Sequence, residues 1–508
     1  MMTDAVVTKP PAATEAPTGS TFDGAARAWL AVAALTLVAL VIRSIGIGGE
    51  LWLDEMYASI LSFRRDFFGL LTVYEGDNQH PLYSLLAHLG IVLFGESPAA
   101  IRLPALLFGV ASIPLVYALG ARVASRREGV MAAAILAVSY HHVWFSQNAR
   151  GYTMLAFWTL LSGYLLYRAI TERSTRLFVW YGVVVALGIY THLTMVFMVA
   201  AHVLICAWLI MPWVRTRIDW RLPLSGFACG ALVTLALYAP LISEVLNFFL
   251  NRPSRLLGVS TPGWALEEGL RILRVGMGGG WPVAAGGIVF ALGLLSYLRR
   301  SPLVFFLFVL PGVMTVIGAL MGRGTMYPRF FFFLIGFALL IVVRGAVVIA
   351  QSIARQPRYA NLLASALVLV IVAASMSSLR YNYENPKQAF QPAAAYVEQQ
   401  MQPGDGVGVL NASWYAYIEY YRKPWTRLTF RDNPADNPAA NLARLRAGRR
   451  VFLVYTFPRY LAHEAPAIMQ TITNECGQAV KFDSSVGDGD VFVCELPPLP
   501  VETADVSS

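Results

Sequence analysis

Glu50-Leu-Trp-Leu-Asp-Glu-Met-Tyr57, with Asn78-Gln-His-Pro-Leu-Tyr83 after it, is the stretch on which the reading of this 508-residue chain turns. A carboxylate pair, Asp54-Glu55, directly follows the first long apolar segment. Charge at a bilayer boundary is costly to desolvate, so it marks a head-group contact, an ion path or a reaction site.

The surroundings say that the boundary is a bilayer. The chain is 57% hydrophobic and 14% charged, with a mean hydropathy of +0.56. A soluble protein carries roughly a quarter charged residues. Repeated apolar runs of about 20 residues imply a polytopic helical membrane protein. Thirty-nine Lys and Arg against 30 Asp and Glu give a net charge of +9. They sit in small groups between apolar runs, as membrane topology requires. Nucleic-acid binding would gather them on one face, so no such partner is expected.

From the N-terminus, residues 1–24 read as a disordered cytoplasmic tail, and the run 28–42 as an uncleaved anchor. The segment 56–74 mixes apolar residues with Arg64, Arg65 and Asp66, the pattern of an amphipathic interfacial helix, and 81–94 reads as a second short apolar stretch, interfacial or half-buried. Further spans are expected near 98–121, 129–145, 152–167, 222–242, 282–298, 302–320, 330–350 and 361–377. The block 177–213 is too long for one span and forms a hairpin turning near 190–194. The total is about eleven. Compact arginine groups at 122/126/127, 168/173/176, 215/217/221, 299/300 and 355/358 occupy alternate connections. The positive-inside rule puts them in the cytoplasm, so Asp54-Glu55, 147–152, 247–281, 321–329 and the C-terminal part all face outward.

The fold class expected is thus an all-α membrane bundle over 25–379, with an outward loop 46–97 carrying the carboxylates, and a small extracytoplasmic α/β domain over 380–508. Short β-like runs at 407–410, 451–455 and 491–494 alternate with helical patches at 392–401 and 441–447. Cys476 and Cys494 could pair in an oxidising compartment. Asn411-Ala-Ser413 matches a glycosylation sequon, a weak signal alone.

Asp54 has two readings: a general base for a hydroxyl acceptor, or an N-cap for a helix beginning near Met56. Arg150 is either an oxyanion partner or an arginine reaching the head groups, and Arg323 and Arg329 carry the same two readings. His80 is either a substrate contact or a merely hydrogen-bonded histidine, while His141, His142 and His192, at span ends, are assigned no chemistry.

Taken together, Leu51-Trp-Leu-Asp54-Glu55-Met-Tyr57-Ala58, His80-Pro-Leu-Tyr83, Gln147-Asn-Ala-Arg150-Gly-Tyr152-Thr-Met154 and Tyr327-Pro-Arg329-Phe330 resemble polyprenyl-phosphate-sugar-dependent GT-C glycosyltransferases. The particular likeness is to the protein mannosyltransferase and lipid A aminoarabinose transferase group (glycosyltransferase family 39-like), over roughly residues 28–350.

The resemblance implies transfer of a sugar from a polyprenyl-phosphate donor to a hydroxyl on a lipid, glycan or protein, at the outer face of a bacterial plasma membrane, with inversion. It makes Asp54 the base, Glu55 its support, Arg150 and Arg329 the holders of the lipid phosphate, and Tyr57, His80, Tyr83, Tyr152 and Tyr327 substrate contacts. Some members carry a second acidic residue where this chain has Tyr152, so no cofactor or obligatory divalent cation is expected. A lipid or sugar transporter is the competing reading. It would show broken helices and polar groups at mid-membrane depth in repeated halves, and no internal repeat is seen.

Overall fold

The computed structural model describes residues 19–74, 76, 79–251, 262–321, 327–410, 412–428, 438–464, 466–485, 487 and 489–500. Most of the expected tail, Asn78, Arg323 and Asn411 of the sequon lie outside them. The chain divides into two compact units, residues 1–47 with 65–380, and residues 48–64 with 381–508.

The first unit is helical. In order it contains α1 (Gly19–Ser44), then, beyond the 48–64 insertion with its own α2 (Leu53–Ala58), α3 (Phe67–Thr72), α4 (Pro81–Phe94), α5 (Pro98–Val123), α6 (Arg126–Val138), α7 (Tyr140–Ser146) and α8 (Tyr152–Glu172). There follow α9 (Thr175–Thr191), α10 (Met195–Ile210), α11 (Arg221–Tyr238), α12 (Ile242–Leu250), α13 (Pro262–Met277), α14 (Gly280–Arg300), α15 (Pro302–Met321), a 3₁₀ turn at Pro328–Leu334, α16 (Ile335–Ile353) and α17 (Pro357–Glu384).

Every stretch read as a span is helical. Among the described residues, seven helices are long and apolar enough to cross a membrane, or eight if α6 and α7, bent by 59°, count as one. The rest of the expected eleven fall short for physical reasons. At 17 and 16 residues, α9 and α10 reach only about 24–26 Å. The 21 residues of α8 are diluted by tyrosine, serine and threonine.

Close packing replaces hydrophobic drive inside the bundle, since lipid is as apolar as leucine. A Cβ on Gly182 of α9 would stand 2.3 Å from the Gly226 carbonyl oxygen of α11, so only glycine permits that approach. Buried charge is compensated. Arg344 of α16 pairs with Glu128 of α6 at 3.2 Å. Arg43, fully buried at the end of α1, donates to the carbonyls of Leu136 and Ala137 at 3.0 and 2.7 Å and to Ser146 Oγ at 3.1 Å. These are carbonyls that the α6–α7 break at Ser139 removes from the helical ladder.

The expected interfacial helix over 56–74 is not continuous. It is α2, a π-helical turn at Ser59–Phe63 and α3, split at residue 64 between the two units. Leu53, Met56, Ala58 and Phe63 are buried in protein, whereas Phe67 and Phe68 are exposed.

In the second unit a five-stranded sheet runs β2-β1-β3-β5-β4, with β1 (Gly406–Leu410), β2 (Thr426–Leu428), β3 (Val451–Thr456), β4 (Val480–Phe482) and β5 (Val491–Leu496). β1 pairs parallel with β2 and β3, and β5 antiparallel with β3 and β4. Parallel neighbours need crossovers: a π-helical turn (Tyr415–Tyr420) lies between β1 and β2 and α19 (Pro438–Leu445) between β2 and β3, while α20 (Pro458–Glu464) and α21 (Pro466–Glu475) lie between β3 and β4 and α18 (Phe390–Gln400) precedes the sheet. Both central strands β1 and β3 are buried throughout. Cys476 and Cys494 form a disulfide, Cα atoms 5.4 Å apart.

Candidate functional site

In the second unit, α2 carries Asp54, Glu55 and Tyr57. The helix starts at Leu53 with Trp52 as N-cap, so Asp54 lies in the first turn and does not cap it. Glu55 does the reciprocal work: its carboxylate accepts from the Trp52 amide at 3.0 Å. Glu55 is fully buried, and this bond fixes the first turn of α2.

The buried Gln388 side chain accepts from the Leu53 amide at 2.7 Å and donates to the Gly489 carbonyl at 3.1 Å, tying α2 to the sheet. Glu50 accepts from the Gln391 amide, and burial raises its carboxyl from the ordinary value. Asp54 and Tyr57 remain half-buried on the outer face of α2.

In the first unit, a second group assembles around the loop between α7 and α8. Gln147 donates to the carbonyls of Arg43 and Ile45 at 3.1 and 2.5 Å, which sets where the loop begins. The Arg150 amide turns back to the Asn148 carbonyl at 2.7 Å. The Gly151 amide donates to His80 Nδ1 at 2.7 Å, and Arg150 Nη2 lies 3.3 Å from His80 Nε2.

That geometry selects a tautomer. Nδ1 must offer a lone pair to Gly151, so the proton of the neutral ring sits on Nε2. Nε2–H and the Arg150 guanidinium then face one another as two donors, an arrangement that a single oxyanion resolves by accepting from both. His192 repeats the pattern, its Nδ1 accepting from the Thr194 amide at 3.1 Å. The two imidazole centroids are 4.6 Å apart.

Burial, with the positive charge of Arg150 and Arg329, pushes His192 down to about 3. Burial and the same two arginines, with His192, hold His80 well below its usual value. Both rings therefore stay neutral, and the positive charge resides on the arginines.

Aromatic rings wall the group. Tyr152 stands 5.5 Å from His80 and 5.0 Å from Phe145, which meets Phe332 at 4.3 Å. Arg329, at the start of the 3₁₀ turn, lies 4.6 Å over Tyr327 and 5.8 Å over Phe330. Tyr327 is held in turn by Trp264 of α13 at 5.6 Å.

Of the expected residues, the first unit thus brings His80, Arg150, Tyr152, Tyr327 and Arg329 into one group, while Asp54, Glu55 and Tyr57 belong to the second unit. Tyr83 is fully buried, and its hydroxyl donates to the Ile101 carbonyl at 2.8 Å, a bond that joins α4 to α5. His192, assigned nothing from the sequence, joins it. A histidine ending one apolar helix is common, and only the 4.6 Å approach to His80 reveals its place. Among the described residues, no cluster of three or more His, Cys, Asp or Glu is placed to hold a metal ion.

Residues 78–243 match the family described as dolichyl-phosphate-mannose-protein mannosyltransferase, the stretch that includes His80, Arg150, Tyr152 and His192. No curated protein sequence matches the chain. Among solved structures, ArnT from Cupriavidus metallidurans in the apo state is 14% identical with a TM-score of 0.54, over 93% of this chain and 98% of that one. ArnT bound to undecaprenyl phosphate is 12% identical, with a TM-score of 0.53 over 94% and 98%. The oligosaccharyltransferase AglB from Archaeoglobus fulgidus, in complex with an inhibitory peptide and a dolichol-phosphate, is 12% identical, with a TM-score of 0.53 over 92% and 74%. At these identities the likeness shows the fold, and that fold is the GT-C type which the sequence motifs resemble.

Proposed function

We propose that this multi-pass membrane protein is a glycosyltransferase that moves a sugar from a polyprenyl-phosphate carrier to an acceptor hydroxyl. One observation carries the reading: two arginines and two neutral imidazoles gather in one group of a membrane protein of GT-C fold. A phosphate monoester esterified to a lipid is the anion that suits both the donors and the bilayer. Arg150 and Arg329 hold it as permanent charges, and His80 and His192 each offer an Nε2–H. Tyr327 and Phe330 fix the Arg329 guanidinium by ring contact.

In the reaction Asp54 takes the proton of the acceptor hydroxyl. The acceptor oxygen attacks the anomeric carbon, the bond from that carbon to the phosphate oxygen breaks, and the lipid phosphate leaves with the electron pair. Attack from the face opposite the phosphate inverts the anomeric centre. The arginines stabilise the charge that grows on the leaving phosphate, where donors already in position are worth most.

We assign the chemistry to the outer face of the membrane, because compact arginine groups on alternate connections put the sequence segments that carry Asp54, Arg150 and Arg329 on the side opposite the cytoplasm. No divalent cation is required by this scheme. The transporter reading lacks a specific observation in its favour.

Purified protein, given a polyprenyl-phosphate donor labelled in the sugar and an envelope extract as acceptor, should release polyprenyl phosphate in step with label transferred, with or without a chelator. Intact donor after prolonged incubation with the whole panel of polyprenyl-phosphate sugars would refute the reading.

A further inference from the structure

Trp414-Tyr-Ala-Tyr-Ile-Glu-Tyr-Tyr-Arg-Lys-Pro-Trp425, aromatic at half its positions, has no part in the scheme above. It lies in the same unit as Asp54, and its first ring positions build toward α2. Helix α2 buries Leu53, Glu55, Met56 and Ala58, leaving Asp54 and Tyr57 half-buried. Three positions apart, these two share one helical face with Cβ atoms about 5–6 Å from each other.

The Tyr57 ring stands almost perpendicular to Tyr415, centroids 4.9 Å apart at 84°. Tyr415 stacks on Trp414 at 3.7 Å, and the Arg427 guanidinium covers Trp414 at 3.6 Å. A π-helical turn at Tyr415–Tyr420 carries the supporting ring. The stack spends Trp414 and Tyr415 as a buttress and holds Tyr57 upright one helical turn from the Asp54 carboxylate.

Resting on the glycosyltransferase reading, we propose that Tyr57 is a binding platform for the acceptor, and that the acceptor it suits is a saccharide. A sugar ring presents a face of C–H bonds to the negative face of an aromatic ring, and a hydroxyl at its edge to a carboxylate. Both demands are met at the spacing of Asp54 and Tyr57. Because Tyr415 already orients the ring, little rotamer freedom is lost when the acceptor docks.

A peptide acceptor is matched less well. Extended peptides are gripped by backbone hydrogen bonds. The Trp52 and Leu53 amides at the start of α2 are already occupied, by Glu55 and by Gln388.

The test uses the full chain in detergent and follows tryptophan fluorescence during titration with oligosaccharides released from the envelope by mild acid. A serine- and threonine-containing peptide mixture is titrated alongside. Wild-type protein should respond saturably to the oligosaccharides only. Y57F keeps the ring face and should bind within a few-fold of wild type, whereas Y57L should bind about tenfold more weakly. Equal binding by Y57L and Y57F, or a response to the peptides alone, overturns the proposal. Saturable, ring-dependent binding without any sugar transfer would leave the platform standing and sink the glycosyltransferase reading instead.

Discussion

The Gly151 amide donates to His80 Nδ1 at 2.7 Å, and this one bond fixes what the other face of the ring can do. With Nδ1 engaged, Nε2–H lies 3.3 Å from the Arg150 guanidinium, and an oxyanion beside the two could accept from both. Substituting His80 by Ala removes one donor to that anion and the support of the Gly151 turn. The donor KM should rise about tenfold, the worth of one hydrogen bond to a charged group, with a smaller effect on turnover. Initial rates against donor concentration measure it.

The arginines should matter more. We predict that R150A and R329A each weaken donor binding by about ten- to a hundredfold, since each removes a charge-assisted bond to phosphate. R150K should restore part of the loss, because the ammonium keeps the charge but not the planar fork. Unchanged donor affinity in R329A would remove it from the phosphate site.

Acid should destabilise the protein through the two imidazoles. Burial and the neighbouring arginines lower the value of His192 to about 3 and that of His80 well below the ordinary one. Below the unfolded value of about 6.5, the unfolded chain binds protons that the folded rings refuse, so stability falls with pH from there toward 3. Thermal unfolding in detergent across pH 7 to 4 should show this decline, and H192N should flatten part of it. A decline just as steep in H192N would place the acid sensitivity elsewhere.

Glu55 and its neighbour should separate cleanly. E55A removes the carboxylate that accepts from the Trp52 amide and should cost about 0.5–2 kcal/mol, seen as a lower Tm. D54N leaves that bond intact and should unfold like wild type.

Much of this was legible in the residues. Apolar runs gave the helices, and the order of short motifs gave the GT-C fold, because both depend on local pattern. In the second unit the buried strands β1, β3 and β5 announce themselves as β-branched runs, while β2 and β4, three residues each at the sheet edges, do not. The interfacial helix failed because the chain crosses between units at residue 64, and no periodicity records which body a short segment packs against. The family resemblance makes Tyr83 a substrate contact, and nothing in that motif tells that its hydroxyl reaches the Ile101 carbonyl of the next helix. His192 and Gln388 were invisible for the opposite reason: each matters through partners far away in sequence.

The role of Asp54 is the centre of the account, and the rate of sugar transfer by purified D54N beside wild type tests it most directly. A general base contributes about 10²–10⁴-fold. Transfer should fall by at least that lower figure while expression, membrane insertion and donor KM stay near wild type. Transfer by D54N within a few-fold of wild type would contradict the assignment.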